Sequence, residues 1–570
     1  MEQQSGGVPA GAGLALAGAA AVAAYFGFTK MRKGGGGGGD SGGGSGAEVA
    51  AATAQRAQSG GGGAVNDPLA AAEASLRAAL GEGGGGGGGG SGDSADLDAP
   101  PAPPPPPKKL TRAQKSQLNG VMSEIRSQEA VSLAGRGMGD EGCAYVADAL
   151  ALNDVCAAVD FTSNGMAEKG AAQLTVALEG NEKLEELVLS GNSLGDEGAK
   201  VLCEFLASSA VPIEILNLSS NGIGDEGAAA IAEMLRRNTR ITSLDLSNNM
   251  IDYEGTVDIA KALAENSALS ELKMSGNYVG SVGASALGEA LKGNEGLSQL
   301  NLSGNDIGDE GVVQLARGLQ EHKGALTSLD LGNNGIGVAA GKELGAYAAK
   351  AKKLQKLNLY MNELGDEGCY PLCDALAKKK KNKLESLDIG GNNIGPGGAP
   401  AIANLIKECE TLTNLEMGYN PVGPKGAEAI AGAIKYGGAL DTLRMGWCKL
   451  DKDGAGHLAD AMRYNESISV LDVRGNVIAD EGCAAFARSL RIVCEKMREL
   501  DMGYNEIKDK GAYAMAEALK QNTDAALVEL GMANNYISKF GSVALLEAKD
   551  IVEEINPDRT LNINMGAEMV

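Results

Sequence analysis

Along most of the chain the apolar positions follow one phrase, Leu-x-Leu-x-x-Asn, which returns every 28 to 30 residues. It reads Leu187-x-Leu189-x-x-Asn192, Leu216-x-Leu218-x-x-Asn221, Leu244-x-Leu246-x-x-Asn249 and Leu300-x-Leu302-x-x-Asn305. Asparagines fall at 164, 192, 221, 249, 277, 305, 334, 362, 392, 420, 476, 505 and 535. Cys448 and, at the start, Arg136 stand in the same place, making fifteen copies. The leucines alternate with polar residues, the period of a short strand that buries one face. The Asn then ends the strand, where its amide suits the backbone groups of a turning chain and of the next coil. Gly-Asp-Glu-Gly follows at 139–142, 195–198, 224–227, 308–311 and 365–368. Its Asp (Asp140, Asp196, Asp225, Asp309, Asp366, and likewise Asp480 and Asp509) is expected to cap its own helix. The helix reads Ala-x-x-x-Leu/Ile-Ala-x-x-Leu, as in 228–235, with its apolar residues on one stripe.

A fixed period of this size means one supersecondary unit stacked many times. No unit buries its apolar side alone; its neighbours do that. The helix is longer than its strand, so the stack bends with helices outside and parallel strands inside. The expected fold is an α/β solenoid, a horseshoe of about 15 repeats with a concave sheet and a convex helical face. Residues 110–129, with Leu118, Val121, Met122 and Ile125 at helical spacing, are expected to cover the first repeat. The other cover is expected over 541–570, where Leu545, Leu546 and Ile551 precede a last strand at Leu561-x-Ile563. The repeats between occupy 130–540. This phrase resembles the leucine-rich repeat in its long, ribonuclease-inhibitor-type form. The resemblance implies a binding module that grips a protein in its concave cleft.

The 84 glycines exceed what the repeats use, and the excess lies in the first 109 residues. Residues 8–28 carry no charge over 21 positions, long enough to cross a bilayer, although Ala and Gly dominate them. Lys30, Arg32 and Lys33 follow at once, and the N-terminal side has no basic side chain. Residues 1–33 are therefore expected to be an uncleaved signal anchor, with the solenoid facing the cytosol, at the mitochondrial or plastid outer membrane among other choices. A cleaved signal and a tract with no membrane role, the latter leaving the chain cytoplasmic, are the alternatives. Residues 34–109 hold Gly runs and the Pro100–Pro107 stretch and are expected to be a disordered linker.

Net charge is −24, from 74 acids against 50 bases, which argues against nucleic-acid binding. Nine cysteines are scattered through the repeats without metal-ligand spacing, so buried reduced thiols are expected and no metal site. Gly137-x-Gly139-x-x-Gly142 and Gly222-x-Gly224-x-x-Gly227 fit a dinucleotide fingerprint, but the stretch recurs as part of the repeat and its acids would repel a pyrophosphate. His322 and His457, the two histidines, have no nucleophile at suggestive spacing. No enzyme and no cofactor are expected.

The informative positions are the inner-sheet residues that vary. Immediately before the Asn most copies have Gly, Ser or Asn, whereas three have Tyr419, Trp447 and Tyr504. Tyr360 and Arg474 stand two residues before it, and Arg444 four before. Trp, Tyr and Arg dominate binding hot spots, so these six are the expected protein-binding residues. An acidic ladder, Asp160, Asp245, Asp330, Asp388, Glu416, Asp472 and Asp501, shares the inner face. The expected function is a membrane-tethered interaction scaffold. The alternative is a GTPase-activating protein of the Ran-activator type, which shares this repeat and would take a small GTPase as partner. That family's acidic C-terminal tail is not seen in 562–570.

Overall fold

The computed structural model describes residues 110–566 except 152, 437 and 493–495. Among the described residues sixteen three-residue strands, β1 (Ala130–Ser132) through β16 (Asn562–Asn564), form one parallel sheet whose spatial order is the chain order. Sixteen helices accompany them, from α1 (Arg112–Ile125) to α16 (Lys539–Ile555). Each coil of the solenoid is thus a strand, a turn and a returning helix. The repeat fixes the register: the central leucines align across strands, as in Leu187 with Leu216 and Leu387 with Leu415.

The apolar stripe of each helix packs on the two strand leucines. In the helix Asp225–Arg237, Ala228, Ile231, Ala232 and Leu235 are all buried. One continuous hydrophobic cluster runs from Leu118 to Leu561, the spine that the period predicts. At its start Thr111 and Gln114 form a capping box on α1, whose Leu118, Val121 and Ile125 are buried in that cluster. At its end Leu545, Ala548 and Val552 of α16 do the same.

The asparagine column is a second, polar spine. The Asn192 amide donates to its own Leu189 carbonyl at 2.8 Å and to the preceding coil's Phe161 carbonyl at 3.0 Å. Its oxygen accepts from the backbone of Asn164 at 3.0 Å and of Met166 at 2.9 Å. One side chain therefore satisfies buried backbone groups in two coils, which is why the position admits so little else.

The Gly-Asp-Glu-Gly aspartates behave differently from the expectation. They lie inside the first turn of their own helices and cap the following helix instead. Asp196 accepts from Gly224 N at 2.7 Å and Gly227 N at 2.9 Å, and Asp480 accepts from Lys508 N and Gly511 N, both at 2.8 Å. The carboxylate reaches sideways because helices of neighbouring coils start level with one another. The cap thus joins repeats rather than ending one.

The expected membrane attachment is corrected. Among the described residues no helix is long and apolar enough to cross a membrane. The longest, α16, has 17 residues and carries acids on its outer face, whereas a span takes about 20 apolar residues. Residues 8–28, on which the expectation rested, lie outside the described residues, as do 34–109. The localisation built on that segment falls with it.

The eight described cysteines are buried and form no disulfide. Burial pushes Cys143, Cys203 and Cys483 up to about 12, so these thiols stay protonated. The His322 ring nitrogens face the Leu291 and Leu297 carbonyls, at 2.8 and 3.1 Å, a structural setting between coils.

Candidate protein-binding surface

The residue before the spine position turns the chain so that the Asn side chain enters the core. In all fifteen copies its φ is positive, between 53° and 69°. Gly, Asn and Ser suit that left-handed backbone, and any other side chain costs roughly 1–2 kcal/mol there. Tyr419, Trp447 and Tyr504 occupy it at φ 59°, 59° and 57°. They are 56, 40 and 49% exposed, so core packing does not repay the strain.

The three rings form a ladder. Tyr419 stacks on Trp447 with centroids 6.2 Å apart and planes 12° apart. Trp447 meets Tyr504, two coils away, at 5.5 Å and 47°. The coil between them has Gly475, and a Cβ there would run into the indole. The missing side chain is what lets one ring bridge two coils.

Beside the ladder lies a bare floor. Two residues before the spine, strands β10 (Ser386–Asp388), β11 (Asn414–Glu416) and β12 (Thr442–Arg444) lead to Gly390, Gly418 and Gly446. Tyr360, following β9 (Lys356–Asn358), lies over Gly390, and a Cβ there would meet its ring carbon at 3.0 Å. At the other end Arg474 lies over Gly446, whose Cβ would meet the Arg474 Cγ at 3.2 Å. Tyr360 and Arg474 thus cover Gly390 and Gly446, both buried, and leave the half-buried Gly418 between them as the uncovered floor of a shallow trough.

The two arginines are not free cations. Arg444 is bonded to Glu416 on the neighbouring strand. Arg474 Nε donates to Asp472 at 2.7 Å, and its Nη1 lies 3.8 Å from Asp501. Asp472 is buried below it, at 5% exposure. The sequence reading therefore named six residues of one surface but missed the pairing of its arginines. It also missed the glycine floor, which a run of Gly in one column against Ser in earlier copies signals.

Among the described residues no such cation is bonded to Asp330 and Asp388, the ladder acids next to Tyr360. Burial raises Asp330, and burial with the nearby Glu416 and Asp330 pushes Asp388 up to about 7, against a hydrogen bond from Gly390 N at 2.9 Å that opposes the rise. Burial also raises the Tyr360 hydroxyl.

Ten segments of the chain match the family described as Leucine Rich repeat: residues 180–203, 212–232, 237–260, 293–316, 326–345, 350–373, 380–403, 408–431, 464–487 and 493–516. The chain is a leucine-rich repeat protein. Among curated relatives, this leucine-rich repeat protein is similar to RAN GTPase-activating protein 2 of Arabidopsis thaliana, 33% identical over 91 residues. That alignment spans 16% of this chain and 16% of the relative. Among solved structures it is similar to one of the yeast Rad7 and Elc1 complex, at 16% identity and TM-score 0.40, covering 70% of this chain and 90% of that one. It is also similar to an internalin (inlF) from Listeria monocytogenes, at 16% identity and TM-score 0.33, covering 80% and 94%. A leucine-rich repeat array of this kind suits a protein-interaction scaffold.

Proposed function

We propose that this leucine-rich repeat protein is a non-enzymatic scaffold that grips a protein partner on the concave sheet between β9 and β14 (Glu499–Asp501). The observation that carries the reading is the aromatic ladder. Tyr419, Trp447 and Tyr504 hold an unfavourable backbone conformation and remain exposed, at a column where other copies place small or flexible residues. Exposed aromatic anchors held rigidly lose little entropy on binding and supply most of an interface's energy. The test is affinity capture with the full chain and with a Tyr419→Ala/Trp447→Ala double variant, on equal amounts of the same extract. Proteins retained by the parent should be lost from the variant. Identical recovery on both would remove the assignment.

A second reading, activation of a GTPase, is supported by the local match to the Arabidopsis Ran activator. Its measure is the rate of GTP hydrolysis by Ran with and without this chain. A rate unchanged at micromolar protein leaves the scaffold reading alone in the field.

A further inference from the structure

The ladder and floor together select a kind of partner. Tyr360 lies over the buried Gly390, and the exposed Tyr419 follows the half-buried Gly418, where the sheet carries no side chain. A Cβ on Gly418 would meet the backbone of Gly446 first, its carbonyl oxygen at 3.0 Å, so this position has to stay bare. The charge of this stretch is unbalanced. On β8 (Ser328–Asp330) through β14 the inner residues Asp330, Asp388, Glu416, Asp472, Glu499 and Asp501 face Lys356, Arg444 and Arg474, a surplus of three negative charges. The arginines are committed to Glu416 and to the Asp472–Asp501 pair at the far end. Asp330 and Asp388, on the strands either side of β9, are acids of this stretch with no arginine bonded to them among the described residues.

We propose that the trough receives a cationic side chain, a lysine or arginine carried on an exposed basic segment of the partner protein, between Tyr360 and Tyr419 and against the Asp388 carboxylate. The inference rests on the reading of this face as a binding surface and adds what is bound. A cation there gains from both the ring faces and the acid. An anionic or purely apolar guest would leave the acids desolvated and repelled. A metal ion would find too few free oxygens, since Glu416 is held by Arg444.

The carboxyl that would pair with the guest is held near neutrality by its surroundings. The charged and titratable groups facing it are Asp330 from β8, Tyr360 from the turn after β9, and Glu416 with its bonded Arg444 from β11 and β12. A cation beside Asp388 favours the ionised form. Binding therefore expels a proton and strengthens as pH rises through about 7.

Trp447 is the one tryptophan of the chain, so its emission reads this surface without a label. The probe is a peptide of eight arginines titrated into the full chain at fixed ionic strength. A saturable change in emission is expected, with affinity several-fold weaker at pH 6 than at pH 8. Asp388→Asn should lower the affinity about ten-fold and remove the pH dependence. Asp245→Asn, which deletes the same charge from the same column on a distant strand, should leave both unchanged. Equal weakening by the two variants would show general attraction to an acidic surface and overturn the proposal, as would a Trp447 emission that does not respond. If Asp388→Asn captures a protein partner fully while Trp447→Ala loses it, the cation slot is wrong and the aromatic surface stands. If neither variant affects capture, both readings fail.

Discussion

At the residue scale, the structure turns a compositional habit into a reason. The sequence shows that Gly, Ser and Asn precede the spine position. The backbone shows why: that residue is left-handed in every coil. The aromatic exceptions were legible as large residues on an inner face, but their strain was not, because backbone conformation is not written in residue size. Asp388 was legible only as one acid of a ladder. Its high pKa arises from burial and from Glu416 on the next strand, both set by the register of the sheet. A stability consequence follows. The folded-state pKa of about 7 lies above the ordinary carboxylate value, so between about pH 4 and 7 the folded chain binds more protons than the unfolded chain. Asp388 thus costs stability increasingly as pH rises through that window, and the cost is complete above it. Asp388→Asn should stabilise the chain at pH 8, as read by urea denaturation, by on the order of 2 kcal/mol, because solvent at the sheet surface relaxes part of the shift. The gain should vanish near pH 4. A variant equally stabilised at both pH values would contradict the assignment.

At the element scale, the strand and helix of each coil were legible because two periods, one of two residues and one of 3.6, alternate within every repeat. The direction of the aspartate caps was not, since a helix and its neighbour's first turn look alike in sequence. The two inter-coil devices should differ in weight. Asn249 donates to the Leu218 and Leu246 carbonyls and accepts from the backbone of Asn221 and Ile223. Asn249→Ala orphans all four buried groups and should cost about 3 kcal/mol. Asp225→Ala releases Asp252 N and Gly255 N, half of which water can reach, and should cost about 1 kcal/mol. Urea denaturation of the two variants side by side checks the order; a costlier Asp225→Ala would mean that the caps, not the amides, hold the coils together.

At the scale of the whole molecule, the repeat count and the apolar spine followed from the period alone. The first 109 residues have no such internal check, and an uncharged tract there was over-read as an anchor. The polar spine has a break that its one cysteine marks. Cys448 sends its thiol to the Met417 carbonyl at 3.3 Å but has no amide oxygen to offer the coil before it. There Val422 N turns to the Asn420 carbonyl at 2.7 Å instead. In a stack whose stability is a sum of neighbour contacts, a weak junction opens locally. Cys448→Asn should close it, stabilise the chain by about 1 kcal/mol and slow hydrogen exchange in residues 417–424. Unchanged exchange there would show that the junction was not weak. The same junction lies next to the indole that spans two coils. Since Trp447 belongs to one coil and rests on the bare Cα of Gly475 in the next, any tightening or loosening of the winding between them must slide the ring across its seat. The molecule thus carries its own gauge of curvature, and a single emission band reports how far the spring is wound.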